Sequence, residues 1–248
     1  MQLKVLGSVS PYCKNNLNCP GYLIEENNHK ILLDCGNGIT SEMSFPQDLE
    51  NLTIIISHLH KDHYGDLLSL AYASFVYHNL GLLTERVKVY LPADESIDYT
   101  YIKSFNEHFL EFIPYHKDTI INIDNLKITF SPNPHQILTF SIKVETNNQS
   151  IVYSSDTAYH DNTLEKFAQN TNLLICETTY LKDQIKRTDN HLNTIEAATI
   201  AKNAQVEQLM ITHTWPEISK QIYQEETKSI FPNTITAEEG KKLKIGSR

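Results

Sequence analysis

The chain has 248 residues, of which 40% are hydrophobic and 9% aromatic, and its formal net charge is −9. This composition supports a globular core, and the acidic excess disfavours nucleic-acid binding that depends on clustered Lys and Arg. The sequence lacks the roughly 18 consecutive apolar residues of a transmembrane helix, and its start does not resemble a signal peptide, so we expect a cytoplasmic protein. No linker or repeat divides the chain, which predicts one domain over residues 1–248.

Short β-rich runs recur along the chain, with helical patterns between them. Runs of β-branched and apolar residues predict strands at 3–7, 21–26, 30–36, 52–57, 87–91, 126–130, 140–145, 150–156, 173–177 and 208–213. Apolar periodicity and capping residues predict helices at 65–79, 161–170 and 194–204, and more weakly at 217–228. Clustered strands with interspersed helices indicate sheets covered by helices, an α/β (α+β) architecture.

Five of the predicted strands end in residues that bind metals or take part in catalysis. The run "LTIII" leads into "SHLHKDH", and the other four strands lead to His135, Asp156, Glu177 and His213. In layered α/β proteins such residues lie just beyond the carboxyl ends of strands. If these ends share one edge, the polar side chains converge on a single cleft.

The crowded motif "SHLHKDH" has the chemistry of a metal site. Neutral imidazoles and carboxylates are ligands of Zn²⁺ and similar divalent ions. The two imidazoles of H-x-H can face one ion if the segment is extended, whereas the following D-H faces a neighbouring position. Four ligands within six residues exceed what one tetrahedral ion takes from a single loop, so the motif predicts two ions in a catalytic centre. The alternative, solvated or core histidines, fits an isolated H-x-H but not the full motif.

The H-x-H-x-D-H motif at His58 to His63 resembles the signature of the metallo-β-lactamase superfamily. "YSSDTA" resembles the aspartate motif of that family, and "HLNTIEAATIAKNAQVEQLMITHTWPE" resembles the closing segment of its ribonuclease Z-like branch. "ITAEEGKKLKI" resembles the final strand of the branch. The resemblance covers nearly the whole chain and implies a four-layer αββα sandwich, in which the metals lie at one edge of two β-sheets.

The resemblance also implies a set of metal ligands. His58, His60 and His135 would hold one ion, Asp62, His63 and His213 the other, and Asp156 would bridge the two. His135 is the least secure match, since "PNPHQILTFSIKVE" carries Lys143 where an arginine is common in the branch. The implied cofactors are two divalent ions, Zn²⁺ or alternatively Mn²⁺ or Fe²⁺, which share an activated hydroxide.

Two further residues match a pair that the ribonuclease Z-like branch uses to protonate the leaving oxygen. They are His191 in "DNHLNT" and Glu177 in "CETTY". An imidazolium supported by a carboxylate can stabilise an expelled alkoxide. The alternatives are helix capping for His191 and an ordinary surface acid for Glu177. Together with Asp62, these two residues are the catalytic candidates.

The remaining polar residues are less specific. Asp34, in a D-x-G turn, is expected to organise the loop beneath the metals through hydrogen bonds. Four histidines have no motif context and are expected to be structural or exposed: His29, His78, His108 and His116. For His160 and Trp215 we leave open whether they line the cleft. The four cysteines form no C-x-x-C pair and are expected to be reduced and mostly buried, although Cys13 and Cys19 can approach each other across a loop.

The chain also departs from the tRNA-processing members, which carry a long tRNA-binding arm between the third histidine and the bridging aspartate. Only residues 136–155 separate His135 from Asp156, so the arm is absent. We therefore expect a small or short phosphodiester substrate and no strong nucleic-acid surface. We also expect no membrane contact, and a homodimer is one candidate assembly. Two hypotheses stand beside the phosphodiesterase: a lactone or thioester hydrolase on the same centre, and a metal-binding protein without catalysis. The apparently complete ligand set disfavours the latter.

Overall fold

The computed structural model describes residues 1–105, 109–184 and 190–246. These residues form two seven-stranded sheets that pack face to face. The first sheet has the order β14-β1-β2-β3-β4-β5-β6 and consists of β1 (Gln2–Gly7), β2 (Gly21–Glu26), β3 (His29–Leu33), β4 (Leu52–Ile55), β5 (Val87–Pro92), β6 (Leu110–Tyr115) and β14 (Lys242–Lys244). Strands β3 to β6 are parallel, whereas β14, β1, β2 and β3 pair antiparallel.

The second sheet mirrors this arrangement of antiparallel and parallel strands. Its order is β13-β12-β11-β10-β9-β8-β7, and it consists of β7 (Ile121–Ile123), β8 (Leu126–Pro132), β9 (Phe140–Glu145), β10 (Ser150–Tyr153), β11 (Leu173–Glu177), β12 (Gln208–Thr212) and β13 (Thr234–Thr236). Strands β10 to β13 are parallel, and β7 to β10 form an antiparallel meander. Each sheet therefore presents a set of parallel strands whose carboxyl ends meet at one edge.

Helices cover the outer faces of both sheets. They are α1 (Lys61–Tyr64), α2 (Leu67–Asn79), α3 (Ile97–Lys103), α4 (Thr163–Phe167), α5 (Thr194–Asn203) and α6 (Lys220–Lys228), with 3₁₀ turns at Ile39–Glu42 and Gln47–Leu49. One apolar core lies between the sheets, a second lies under α2 and α3, and a third lies under α4, α5 and α6. The fold is the αββα sandwich that the resemblance implied, because each sheet buries one face against the other sheet and one against helices.

The ten predicted strands and four predicted helices are present, with shifts of a few residues at their ends. Strands β6 and β7 and helices α1 and α3 were not predicted; β6 contains Pro114, which an edge strand tolerates. The expectation of one final strand in "ITAEEGKKLKI" was wrong. This segment divides between the sheets as β13 and β14, because Gly240, with φ +77°, turns the chain between them.

Three residues that follow strands adopt the left-handed conformation, which is uncommon for residues with a side chain. Asp34 after β3, Ser155 after β10 and His213 after β12 have φ of 58°, 52° and 59°. Such strained positions persist where the surrounding contacts fix them, and they concentrate at functional sites. All three lie where the parallel strands of the two sheets end.

Candidate metal centre

The histidine-rich motif changes conformation in its middle. His58 and His60 follow β4, and His60 is extended, with φ −78° and ψ 145°. Helix α1 then begins at Lys61, so Asp62 and His63 lie in its first turn. The extended half and the helical half point their side chains at different places, which is how one short loop contributes to two groups of ligand atoms.

The first group contains three imidazoles and one carboxylate. His60 Nδ1 lies 3.1 Å from His58 Nε2 and 3.2 Å from His135 Nε2. Asp156 Oδ2 lies 3.6 Å from His58 Nε2 and 3.7 Å from His135 Nε2. These four atoms belong to a cluster that could hold one metal ion.

The second group lies beside the first and shares Asp156 with it. His63 Nε2 and His213 Nε2 are 3.3 Å apart, and Asp62 Oδ2 is 3.6 Å from each. Asp156 Oδ1 lies 3.3 Å from His63 Nε2 and 3.1 Å from His213 Nε2. The two oxygens of Asp156 therefore face different groups, as a bridging carboxylate requires.

Two observations show that the residues fit metal ions. Two ligands at ~2.1 Å from a tetrahedral ion are ~3.4 Å apart, close to the spacing of the inward-facing atoms. In addition, Asp156 Oδ1 is buried and has no hydrogen-bond partner among the described residues. Native proteins rarely leave a buried polar atom unsatisfied unless an ion or water completes its contacts. The donor set of imidazole and carboxylate suits Zn²⁺ and related ions.

Four of these imidazoles are oriented by a hydrogen bond at the nitrogen that faces away from the groups. His63 Nδ1 donates to Asp34 Oδ2 at 2.7 Å, and His135 Nδ1 donates to the Asn190 carbonyl at 3.0 Å. His213 Nδ1 lies 2.9 Å from Thr179 Oγ1, and His58 Nδ1 lies 3.1 Å from Ser57 Oγ. Such contacts select the tautomer whose free nitrogen faces the metal.

Asp34 is fully buried and joins the two sheets beneath the site. Besides His63, it accepts hydrogen bonds from Ser57 N at 2.7 Å, Ser57 Oγ at 2.9 Å and Tyr153 Oη at 2.8 Å. Tyr153 belongs to β10, so a residue of the second sheet fixes a carboxylate of the first. The expected role of Asp34 in organising this loop agrees with these contacts.

Glu177 is the corresponding buried carboxylate at the end of β11. Its Oε1 accepts from His191 Nδ1 at 3.0 Å and from the amides of Thr157 and Leu192. Its Oε2 accepts from Thr179 Oγ1 at 2.9 Å. Because Thr179 Oγ1 also contacts His213, Glu177 supports His191 directly and His213 through one hydroxyl. It is therefore not a surface acid.

The electrostatics separate the two groups. Burial lowers the pKa of His58, His60 and His135, which keeps these imidazoles neutral and able to coordinate an ion. Burial opposes protonation of His63 as well, but the nearby carboxylates of Asp156, Asp62 and Asp34 raise its pKa well above the usual value. The second group is thus a place where positive charge is stabilised.

His191 lies beside both groups without being a member of either predicted ligand triad. Its ring stacks on His213, with centroids 5.4 Å apart and planes at 25°, and its Nδ1 is 3.9 Å from Asp156 Oδ2. Burial lowers its pKa, but the charge and hydrogen bond of Glu177 outweigh this and raise the pKa to about 9. A proton is therefore held on His191 at neutral pH.

The structure brings all seven predicted ligands and the His191–Glu177 pair together, and the roles of these residues stay predictions. Thr179, Ser10 and Tyr153 were missed: Ser10 Oγ donates to Asp62 Oδ2 at 2.9 Å. Of these three residues, only Thr179 could have been suspected from the sequence, because it lies two residues after Glu177 at the end of a predicted strand. His160 is exposed, and Trp215 is 40% exposed. His108 lies outside the described residues.

No helix within the described ranges is long and apolar enough to cross a membrane.

The family model of the β-lactamase superfamily domain matches residues 29–214. A probable metallo-hydrolase, YhfI of Bacillus subtilis, is 28% identical over 214 residues, which are 86% of each chain. A ribonuclease Z of Saccharolobus solfataricus is 24% identical over 282 aligned positions, covering 92% of this chain and 93% of the relative.

A solved structure extends the similarity to three dimensions. The crystal structure of the metallo-β-lactamase fold protein YhfI superposes with a TM-score of 0.90 at 26% identity, and it covers 98% of both chains. The region matched by the family model, residues 29–214, contains the whole H-x-H-x-D-H motif, His135, Asp156 and His213. The chain therefore belongs to the metallo-β-lactamase superfamily, as a ribonuclease Z-like metallo-hydrolase.

Proposed function

We propose that this protein is a phosphodiesterase that uses two divalent metal ions, with Zn²⁺ preferred and Mn²⁺ or Fe²⁺ as alternatives. His58, His60 and His135 would hold one ion, Asp62, His63 and His213 the other, and Asp156 would contact both. When bound, such ions would supply Lewis-acid stabilisation of phosphoryl charge and lower the pKa of water. The relationship to a ribonuclease Z supports a phosphodiester bond as the target.

The observation that carries this proposal is the position of His191. A phosphodiester expels an alkoxide, which needs a proton, and the His191 ring, which holds one, lies beside both ligand groups, with its Nδ1 3.9 Å from Asp156 Oδ2. Glu177 keeps the ring in place through Nδ1, so Nε2 would be the nitrogen that donates to a substrate. Hydrolysis of a thioester, whose thiolate leaves without protonation, would depend far less on this residue.

The surroundings of the site favour a small or short substrate. Between His135 and Asp156 the chain forms only the β9–β10 hairpin, so there is no arm to clamp a large RNA. A cavity of about 670 Å³ opens near the loop that carries His135, but its walls, which include His116, Pro132, Leu138 and Phe140, contain none of the predicted ligands. The preference for a small substrate therefore rests on the missing arm alone.

We extend the proposal to the assembly: one domain over residues 1–248, acting in the cytoplasm as a homodimer. Helix α2 has no Asp, Glu, Lys or Arg, and it ends in an exposed apolar surface formed with the following turn: Leu68, Tyr72, Phe75, Val76, Leu80 and Leu82. Each of these six side chains is at least 39% exposed, so the surface is open to a second copy of the chain. Tyr72→Glu should give a monomer by light scattering, whereas Ile222→Glu on α6 should not.

The first experiment combines metal analysis with substrate comparison. The purified protein should contain about two metal ions per chain, and it should hydrolyse bis(p-nitrophenyl) phosphate until a chelator removes the metal. Chromogenic lactones and thioesters are tested on the same preparation. Faster turnover of a lactone or thioester than of the phosphodiester would overturn the proposal in favour of acyl hydrolysis.

A variant of His191 tests the proton donor itself. His191→Ala should lower turnover of the phosphodiester about a hundredfold, with the metal content unchanged. Since the wild type loses this proton as the pH rises through about 9, its turnover should fall there, and the variant should lack that limb of the profile. His29→Ala, at the distant β3 end, serves as the matched control. Unchanged turnover in His191→Ala would remove the assignment.

A further inference from the structure

Two cysteines lie in contact beside the metal centre. The sulfur atoms of Cys13 and Cys19 are 3.9 Å apart, and Cys13 is exposed whereas Cys19 is buried. A disulfide needs ~2.05 Å between the sulfurs, so the two thiols are in contact but not bonded, and closing the bond requires the hairpin that carries them to adjust. Cys35 and Cys176, the other two cysteines, are both buried.

A tight turn fixes this proximity. Lys14 and Leu17 exchange backbone hydrogen bonds of 3.2 and 2.9 Å, and the intervening Asn15 and Asn16 have φ of 52° and 63°. Two successive left-handed residues are the hallmark of the type I′ hairpin turn, for which Asn is well suited. Cys13 comes directly before this turn and Cys19 lies two residues after it, so the reversal of the chain brings the two thiols together.

The hairpin is connected at two places to the second ligand group of the metal centre. At its start, Ser10 Oγ donates to Asp62 Oδ2 at 2.9 Å. On its exposed side, Tyr12 and Lys14 contact Glu217, which lies four residues after His213, at 2.7 and 2.9 Å. A movement of this hairpin would therefore reach residues of the second ligand group from both sides.

The end of the hairpin has little room to move independently of the site. The carbonyl of Pro20, next to Cys19, accepts from Gly36 N at 2.9 Å. A Cβ at Gly36 would lie 2.3 Å from the Asp62 carbonyl and 2.7 Å from Pro20 O, so these backbones are in close contact there. Both the Cys13 thiol and the Cys19 amide donate to the Asn37 carbonyl, at 2.9 Å each.

We propose that Cys13 and Cys19 form a reversible disulfide on exposure to a peroxide, and that this bond lowers metal affinity by displacing the Ser10 hydroxyl from Asp62. The Cys13 thiolate attacks a peroxide oxygen, the O–O bond breaks, and a sulfenic acid forms with release of water or an alcohol. The Cys19 sulfur then attacks the Cys13 sulfur, the S–O bond breaks, and a second water leaves with the Cys19 proton. The two thiols lose two electrons, and the peroxide gains them. This inference does not require a particular substrate.

Trypsin provides a direct readout, because Lys14 lies between the two cysteines. Cleavage after Lys14 separates a peptide with Cys13 (residues 5–14) from one with Cys19 (residues 15–30). After treatment of the metal-loaded protein with hydrogen peroxide, these peptides should be linked, and dithiothreitol should separate them. Separate peptides after treatment would overturn the proposal.

The functional part is measured by metal retention against a chelator and by phosphodiester turnover. Oxidation should weaken retention at least tenfold, as expected when a contact to a metal ligand is lost, and the reductant should restore it. Cys13→Ser should keep its metal and activity under the same treatment, whereas Cys176→Ala should respond like the wild type. A linked peptide with unchanged metal retention, or equal losses in the wild type and Cys13→Ser, would overturn the control of the centre. Metal retention tests the effect of the disulfide even if the protein proves not to be a phosphodiesterase.

Discussion

Two buried carboxylates support the site in different ways. Asp34 anchors the first half, which is the loop from His58 to His63, and Glu177 anchors the second half, which consists of the residues that follow strands of the second sheet. Asp34 orients one imidazole, His63, and ties it to Ser57 and Tyr153. Glu177 serves two imidazoles, His191 directly and His213 through Thr179. The first half takes its ligands from one loop, and its anchor, Asp34, only has to hold His63 in position. The second half combines separate strand ends, and its anchor couples a predicted metal ligand to the proposed proton donor.

The predicted bridging residue, Asp156, tests whether the two ligand groups form one centre. Asp156→Asn changes the carboxylate whose two oxygens lie 3.1–3.7 Å from imidazoles of both ligand groups. Metal content should fall well below two ions per chain, and turnover of bis(p-nitrophenyl) phosphate should drop about a thousandfold, since several kcal/mol of transition-state stabilisation are lost. Elemental analysis and initial rates check both results. Full metal content in this variant would show that the groups bind ions independently.

Asp34→Asn tests the anchor of the first half. The amide that replaces a carboxylate oxygen is a donor, and it would face donors from Ser57, His63 or Tyr153 in a fully buried place. We expect a loss of about 2–4 kcal/mol in the free energy of unfolding and a 10–100-fold loss in metal affinity. Urea unfolding of the metal-free protein and competition with a chelator measure the two effects separately. Retained metal affinity would show that His63 does not need this orientation.

Glu177→Gln and Thr179→Val separate the two functions of the second anchor. The first change should reduce both turnover and metal affinity, because it alters the contacts of His191 and His213 together. Thr179→Val removes only the hydroxyl between Glu177 and His213, so metal affinity should fall about tenfold while the fall in turnover above pH 9 remains. Loss of that pH dependence in Thr179→Val would contradict the separation of roles.

The same contrast explains how much could be predicted from the sequence. The first half was accessible, because His58 to His63 are contiguous and the preceding apolar strand is unambiguous. The ligands of the second half could be assigned only by resemblance, since each follows a different strand and their convergence depends on strand order. Contacts such as Ser10 to Asp62 or Tyr153 to Asp34 link residues distant in the chain, and nothing in the local pattern indicates them. The unpredicted β6 illustrates the same limit, as its edge position made Pro114 acceptable.

Tyr153→Phe gives the smallest effect and defines how the halves communicate. It deletes one of the hydrogen bonds to Asp34 without changing volume, and it is the bond that crosses from β10 to the first sheet. Because Ser57 and His63 still donate to the carboxylate, the free energy of unfolding should fall by only ~1 kcal/mol. Metal affinity should change less than about threefold. Urea unfolding and chelator competition, run beside Asp34→Asn, provide the comparison. If Tyr153→Phe were as damaging as Asp34→Asn, the cross-sheet bond rather than the contact to His63 would be what positions the first half.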